Sequence, residues 1–166
     1  MMQAGLSKQL WAKAIVAGCL VWVGFHHLIP VSSFDPSYST VLYDRQGDLL
    51  GASIARDGQW RFPLLNTVPH KFQIAIESFE DKRFRFHPGV DPLALSRALW
   101  TNLRTGKVVS GASTLTMQVV RLSRKGKSRT YSEKIIEALM ALRLELSYTK
   151  DEILELYAAN APFGGN

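Results

Sequence analysis

At 166 residues the chain has the length of one domain. Its composition, 46% hydrophobic, 20% charged and 10% aromatic, is that of a globular chain and excludes disorder. A net charge of +6 suits an anionic partner: membrane lipid, a phosphate-bearing substrate or nucleic acid. Cys19 is the single cysteine and has no partner for an intramolecular disulfide. No C-x-x-C or H-E-x-x-H spacing points to a dedicated metal site.

From Leu10 to Ile29 the sequence is nearly all apolar. About 20 such residues span a bilayer as a helix. Lys8 and Lys13 at its start predict a cytoplasmic N-terminus, and Lys13 can snorkel to the near interface. The rival reading is a cleaved signal peptide, but no small-x-small cleavage site follows the run, so an uncleaved anchor is preferred. Either reading puts the remainder outside the cytoplasm. Residues 31–39, rich in Ser and Pro, read as a linker. Thr40–Asp44 and Leu49–Ile54 flank Arg45-Gln-Gly47-Asp48 and predict a β-hairpin, with Gln59–Phe62 as a candidate third strand before Pro63.

A helix is predicted from Pro69 to Phe79, its apolar residues Phe72, Ile74, Ala75, Ile76 and Phe79 reading as buried. His87-Pro88-Gly89 cannot continue it. Glu80 and Asp81 therefore stand where a hydrophobic helix gives way to a loop. A carboxylate beside apolar surface is protonated more readily, as a general acid or base near neutral pH requires. The bland alternative is an ion pair with Lys82 or Arg83.

Asp91-Pro92 predicts the next helix start, with an apolar face of Leu93, Ala94, Leu95, Ala98, Leu99, Trp100 and Leu103 and a stop near Gly106. In Gly111-Ala-Ser113-Thr114-Leu-Thr116-Met-Gln118, Ser113 and Thr114 can cap a helix, and N–H groups at such an end suit phosphate or sugar oxygens. Arg121, Arg124, Lys125, Lys127 and Arg129 follow as a basic loop without interleaved aromatics, so nucleic acid is poorly supported. Lipid headgroups or a diphosphate fit it as well as solvent does. Thr130–Glu133 and Thr149–Glu152 are capping boxes that start two more helices. Ile135, Leu139, Leu142 and Leu146, broadened by Ile136 and Met140, are the expected core stripe of the first. Lys134 and Glu137, three apart, are neighbours on another face; alone, they read as a surface ion pair.

Four of these stretches, in order, resemble the motifs of the family 51 glycosyltransferases, the peptidoglycan polymerase domains of class A penicillin-binding proteins and monofunctional transglycosylases. They are Glu80-Asp81-x-x-Phe84-x-x-His87-x-Gly89-x-Asp91, then G-x-S-T-x-T-x-Q at residues 111–118, then R-K-x-x-E at 133–137, then Lys150-x-x-Ile153-Leu154-x-x-Tyr157. The resemblance runs from about Thr40 to the end and is closest to the C-type branch. Two positions depart from it. Glu133 stands where the third motif has arginine, and Ala158-Ala159 replaces Leu-Asn in the fourth.

The resemblance implies a mainly α, lysozyme-like transglycosylase domain over residues 64–166, preceded by a cytoplasmic tip and transmembrane anchor at 1–30 and a linker with a short β segment at 31–63. It implies polymerisation of lipid II into glycan strands at the outer face of the cytoplasmic membrane, with inversion and release of undecaprenyl pyrophosphate. Glu80 is the expected general base and Glu137 the second carboxylate. Lys134, Ser113, Thr114, Gln118 and Arg143 are expected on the substrate, with Asp81 and His87 shaping the loop. No cofactor is required; a divalent cation such as magnesium near the pyrophosphate is an option. Expected partners are lipid II, the growing strand, membrane lipid and other cell-wall synthesis proteins, and no nucleic acid. The fifth family motif and a transpeptidase S-x-x-K with K-T-G are absent from the sequence, which reads as truncated and not penicillin-binding. A lysozyme-like hydrolase and an inactive lipid II-binding fragment are the alternatives.

Overall fold

A computed structural model describes residues 2–34, 37–62, 67–124 and 127–162, with the side chains of residues 2–10 and 12 left aside. The boundary at Pro63, Lys125 of the basic stretch and the closing Phe163–Asn166 lie outside the described residues. The order is α1 (Met2–Leu28), β1 (Thr40–Tyr43), β2 (Leu49–Ser53), α2 (His70–Glu80), a 3-10 turn at Phe84–Phe86, α3 (Pro92–Thr105), α4 (Leu115–Ser123), α5 (Tyr131–Glu145) and α6 (Lys150–Asn160). The chain is mainly helical, with a two-stranded antiparallel sheet.

The expected anchor forms a helix of 27 residues, α1. Among the described residues, however, no helix is long and apolar enough to cross a membrane. Lys13 and the pair His26-His27 bracket the apolar stretch and shorten it. Trp11, Ile15, Leu20, Val21 and Leu28 of α1 are all exposed.

The hairpin forms as expected. Asp44 Oδ1 accepts from the Gln46 and Asp48 amides at 2.8 Å each, which closes the turn, and Gly47 takes φ 91°. Gln59–Phe62 is not a strand. It makes isolated bonds only, Ala55 N to Gln59 O at 3.3 Å and Ser39 N to Arg61 O at 2.8 Å. Of the described residues in the linker stretch, Val31 and Phe34 pack against the core and Ser39 is buried.

The core joins Leu115, Met117, Val119 and Val120 of α4, Met140, Ala141 and Leu144 of α5, Ile153, Leu154 and Tyr157 of α6, and Phe84. Burying each large side chain contributes about 1.5–3 kcal/mol. α4 packs against both α5 and α6. It runs antiparallel to α5, because Thr116 at its start bonds Glu145 at the end of α5 and Arg124 at its end bonds Glu133.

Three predicted faces differ. α2 contains no buried residue, and Phe79 is 87% exposed. Only Ala98 of α3 is buried, so Leu95, Leu99, Trp100 and Leu103 face outward. On α5 the buried stripe is Glu137, Met140, Ala141 and Leu144, while Ile135, Leu139 and Leu146 are exposed. α5 carries apolar residues nearly all round, so periodicity alone could not choose the face that meets α4. The first capping box is also only half made. Thr130 accepts from the Glu133 amide, but the Glu133 carboxylate turns to Arg124. The Thr149–Glu152 box is complete.

Candidate active site

The C-terminal end of α2 delivers two adjacent carboxylates to different partners. Glu80 is half-buried, and Gln118 Nε2 of α4 donates to its Oε2 at 2.8 Å. Neither Lys82 nor Arg83 pairs with it among the described residues; Arg83 instead faces Asp91 at 3.3 Å. Asp81 is buried. Its Oδ2 accepts from the Leu115 amide at 2.9 Å and from His87 Nε2 at 2.9 Å. His87 Nδ1 accepts from the Gly89 amide at 3.2 Å, which assigns the ring proton to Nε2. The loop is pinned further by Lys150 Nζ, donating to His87 O and Glu145 Oε1 at 2.7 Å each.

Gly89 allows this closeness. At φ 93° a side chain is strained, and a Cβ would lie 2.7 Å from Ala141 O. Asp91 caps α3 through the Leu93 and Ala94 amides. Burial pushes its carboxyl up, but those amides and Arg83 outweigh burial and hold it below the usual carboxylate range.

The second motif is used internally. Thr114 is 2% exposed; its hydroxyl donates to Gly89 O at 2.5 Å and accepts from the Met117 amide. At the start of α4, expected to meet phosphate, the Leu115 amide is taken by the Asp81 carboxylate. Ser113 is half-buried beside it.

A polar row runs along α4 and onto its C-cap at a spacing of three: Gln118, Arg121, Arg124. Gln118 holds Glu80. Arg121, expected in a loop, lies in the last turn of the helix. Burial raises the Tyr157 phenol above its ordinary range; the Glu80 charge adds to this and Arg121 opposes it, so both charges act at Tyr157. At the far end Arg124 bonds Glu133 of α5, one turn before Glu137. Glu80 thus meets the row at Gln118, and Glu137 lies on α5 one turn after the Glu133 that holds the Arg124 end.

Glu137 faces the core stripe and is 9% exposed, whereas Lys134 is exposed. No hydrogen bond or ion pair joins the two among the described residues. Arg143 is not brought to the row: its Nη1 donates to Ser147 Oγ at 2.5 Å, and its buried Nε has no hydrogen-bond partner. Among the described residues no group of three or more His, Cys, Asp or Glu side chains is placed to hold a metal ion. The sequence offered Arg121 and Arg124 as a basic loop open to a diphosphate and Tyr157 as part of the fourth motif, without bringing any of them to Glu80. The three-residue spacing from Gln118 is the signal that would have included both arginines.

Residues 47–166 match the family described as Transglycosylase. The chain belongs to that family. The transglycosylase match takes in every residue of the polar row and both carboxylates. Over 159 residues the chain is 41% identical to penicillin-binding protein 1C of Escherichia coli strain K12, covering 93% of this chain and 20% of that protein. It is 36% identical over 124 residues to penicillin-binding protein 1A of Neisseria cinerea, covering 75% and 15%. It is 35% identical over 128 residues to penicillin-binding protein 1A of Aquifex aeolicus strain VF5, covering 76% and 17%. The chain therefore spans about a fifth or less of the length of these relatives.

Proposed function

We propose that residues 64–166 form a peptidoglycan glycosyltransferase unit that joins lipid II into glycan strands. The observation that carries this is Glu80 at the end of α2, half-buried, with one oxygen held by Gln118. Gln118 fixes Oε2 and leaves Oε1 to take a proton. In this reading Glu80 removes the proton from the 4-hydroxyl of the acceptor sugar as that oxygen attacks the donor's anomeric carbon. The bond to undecaprenyl pyrophosphate breaks from the opposite side, so the linkage inverts from α to β. The departing diphosphate needs positive charge and donors. Lys134, exposed on α5, and Arg121, on the row, supply them, with Ser113 beside the start of α4. In this reading Glu137, four residues after Glu133 on α5, is the second carboxylate. Asp81, His87 and Thr114 hold the loop and helix start in place. Their polar atoms are already engaged, so their part is positioning.

In the same reading α1 lies in the cytoplasmic membrane, with the catalytic unit on its outer face. Its exposed apolar side chains support this, and a lipid-borne substrate explains it: enzyme and substrate then meet at one interface. A second reading, a lipid II binder without turnover, rests on Glu133 and Ala158-Ala159, which depart from the third and fourth motifs of the family.

The test uses the chain in membrane vesicles with labelled lipid II, beside Glu80→Gln. Glycan strands from the parent are expected, with a loss of about 10²-fold or more in the variant. Equal product from both would remove Glu80 from its role. Binding without product from either would favour the non-catalytic reading.

A further inference from the structure

Glu133 stands where the resemblance places an arginine, and its carboxylate is taken by Arg124. We propose that Arg124, reaching across from α4, supplies the guanidinium missing at position 133 and binds the diphosphate of the lipid-linked donor beside Glu137. This rests on the glycosyltransferase reading above.

The geometry is specific. Arg124 Nε donates to Glu133 Oε1 at 2.7 Å, and Nη2 donates to the same oxygen. Nη1 lies 3.6 Å from Met140 Sδ. Glu133 is four residues before Glu137 and Met140 three after it, so all three share one stripe of α5. A side chain that touches both flanking residues crosses the turn that carries Glu137. Arg124 and Glu133 are 23% and 17% exposed, so water screens the pair poorly.

A guanidinium has five N–H groups. Glu133 takes two and the Met140 sulfur a weak third. The other two have no acceptor among the described residues. Two N–H groups in a planar fork match two phosphate oxygens, a geometry lysine does not offer. Because Glu133 balances the charge, the contribution of Arg124 is directional. The pair holds the fork still, and the free N–H groups do the binding.

The experiment measures lipid II binding to the full chain in nanodiscs, with thermal unfolding alongside. Arg124→Met combined with Glu133→Leu removes both partners without stranding a charge. It is expected to unfold like the parent and to bind lipid II about tenfold or more weakly. Arg124→Ala with Glu133→Arg moves the guanidinium onto α5 and is expected to restore most of the loss. A folded Met/Leu variant that binds as the parent does would overturn the proposal, as would a folded Ala/Arg variant that restores nothing. Should the Met/Leu pair unfold, Arg124→Lys decides: it keeps the charge and loses the fork, so binding equal to the parent's refutes the assignment. A parent that fails to bind lipid II sinks the glycosyltransferase reading and this proposal together. A parent that binds beside indifferent variants sinks the proposal alone.

Discussion

Glu80 and Asp81 are neighbours in sequence with different tasks, and donors explain the difference. Asp81 is buried and satisfies both the His87 ring and the first amide of α4. Replacing it by Ala leaves two buried donors unmatched and is expected to cost about 2–4 kcal/mol in urea unfolding. Asp81→Asn keeps an acceptor and should cost less. Gln118 is a neutral donor to Glu80, so Gln118→Leu should leave stability within about 1 kcal/mol of the parent while lowering turnover. Equal turnover in Gln118→Leu would detach Gln118 from the site. Asp91 sets a pH limit. Its carboxyl is held below the usual range in the fold, so the stability it contributes is present above its unfolded value, about 3.9, and is lost as pH falls through the folded value. Asp91→Asn should flatten the acid limb of a plot of melting temperature against pH. The motif residues around Glu80 were legible in the sequence because their spacing is local. The partner of Glu80 was not, because Gln118 lies 38 residues away.

Among the elements, helix starts were read well and helix faces poorly. Asp91, Thr114, Thr130 and Thr149 all cap as their side chains predict, since a cap is a contact within three residues. The buried face of α5 depends on where α4 lies. Leu144→Ala should therefore cost about 2–5 kcal/mol, whereas Leu139→Ala should cost far less. A reversed order in thermal denaturation would put the helix on its other face. Gly89 and Gly106 form a matched pair: both have positive φ, but only Gly89 meets backbone. Gly106→Ala should cost about 1 kcal/mol. Gly89→Ala should cost clearly more, because Ala141 O would have to move.

For the molecule as a whole, exposed apolar surface on α1, α2, α3 and α5 exceeds what a water-facing protein needs. Placing α1 in a bilayer predicts that the chain floats with vesicles, and that Val16→Glu with Leu20→Glu releases it. Flotation unchanged by both acidic side chains would argue against that placement. The sequence by itself determined the mainly helical class, the hairpin, the four helix starts and the motif residues, because each is written in caps, turns and short spacings that need no distant partner. Only the tertiary structure decided which faces of α2, α3 and α5 are covered, that Asp81 takes the Leu115 amide at the start of α4, and that Arg124 reaches Glu133. Those depend on how helices far apart in the chain pack, and an amphipathic pattern with apolar residues on both sides fits more than one such packing.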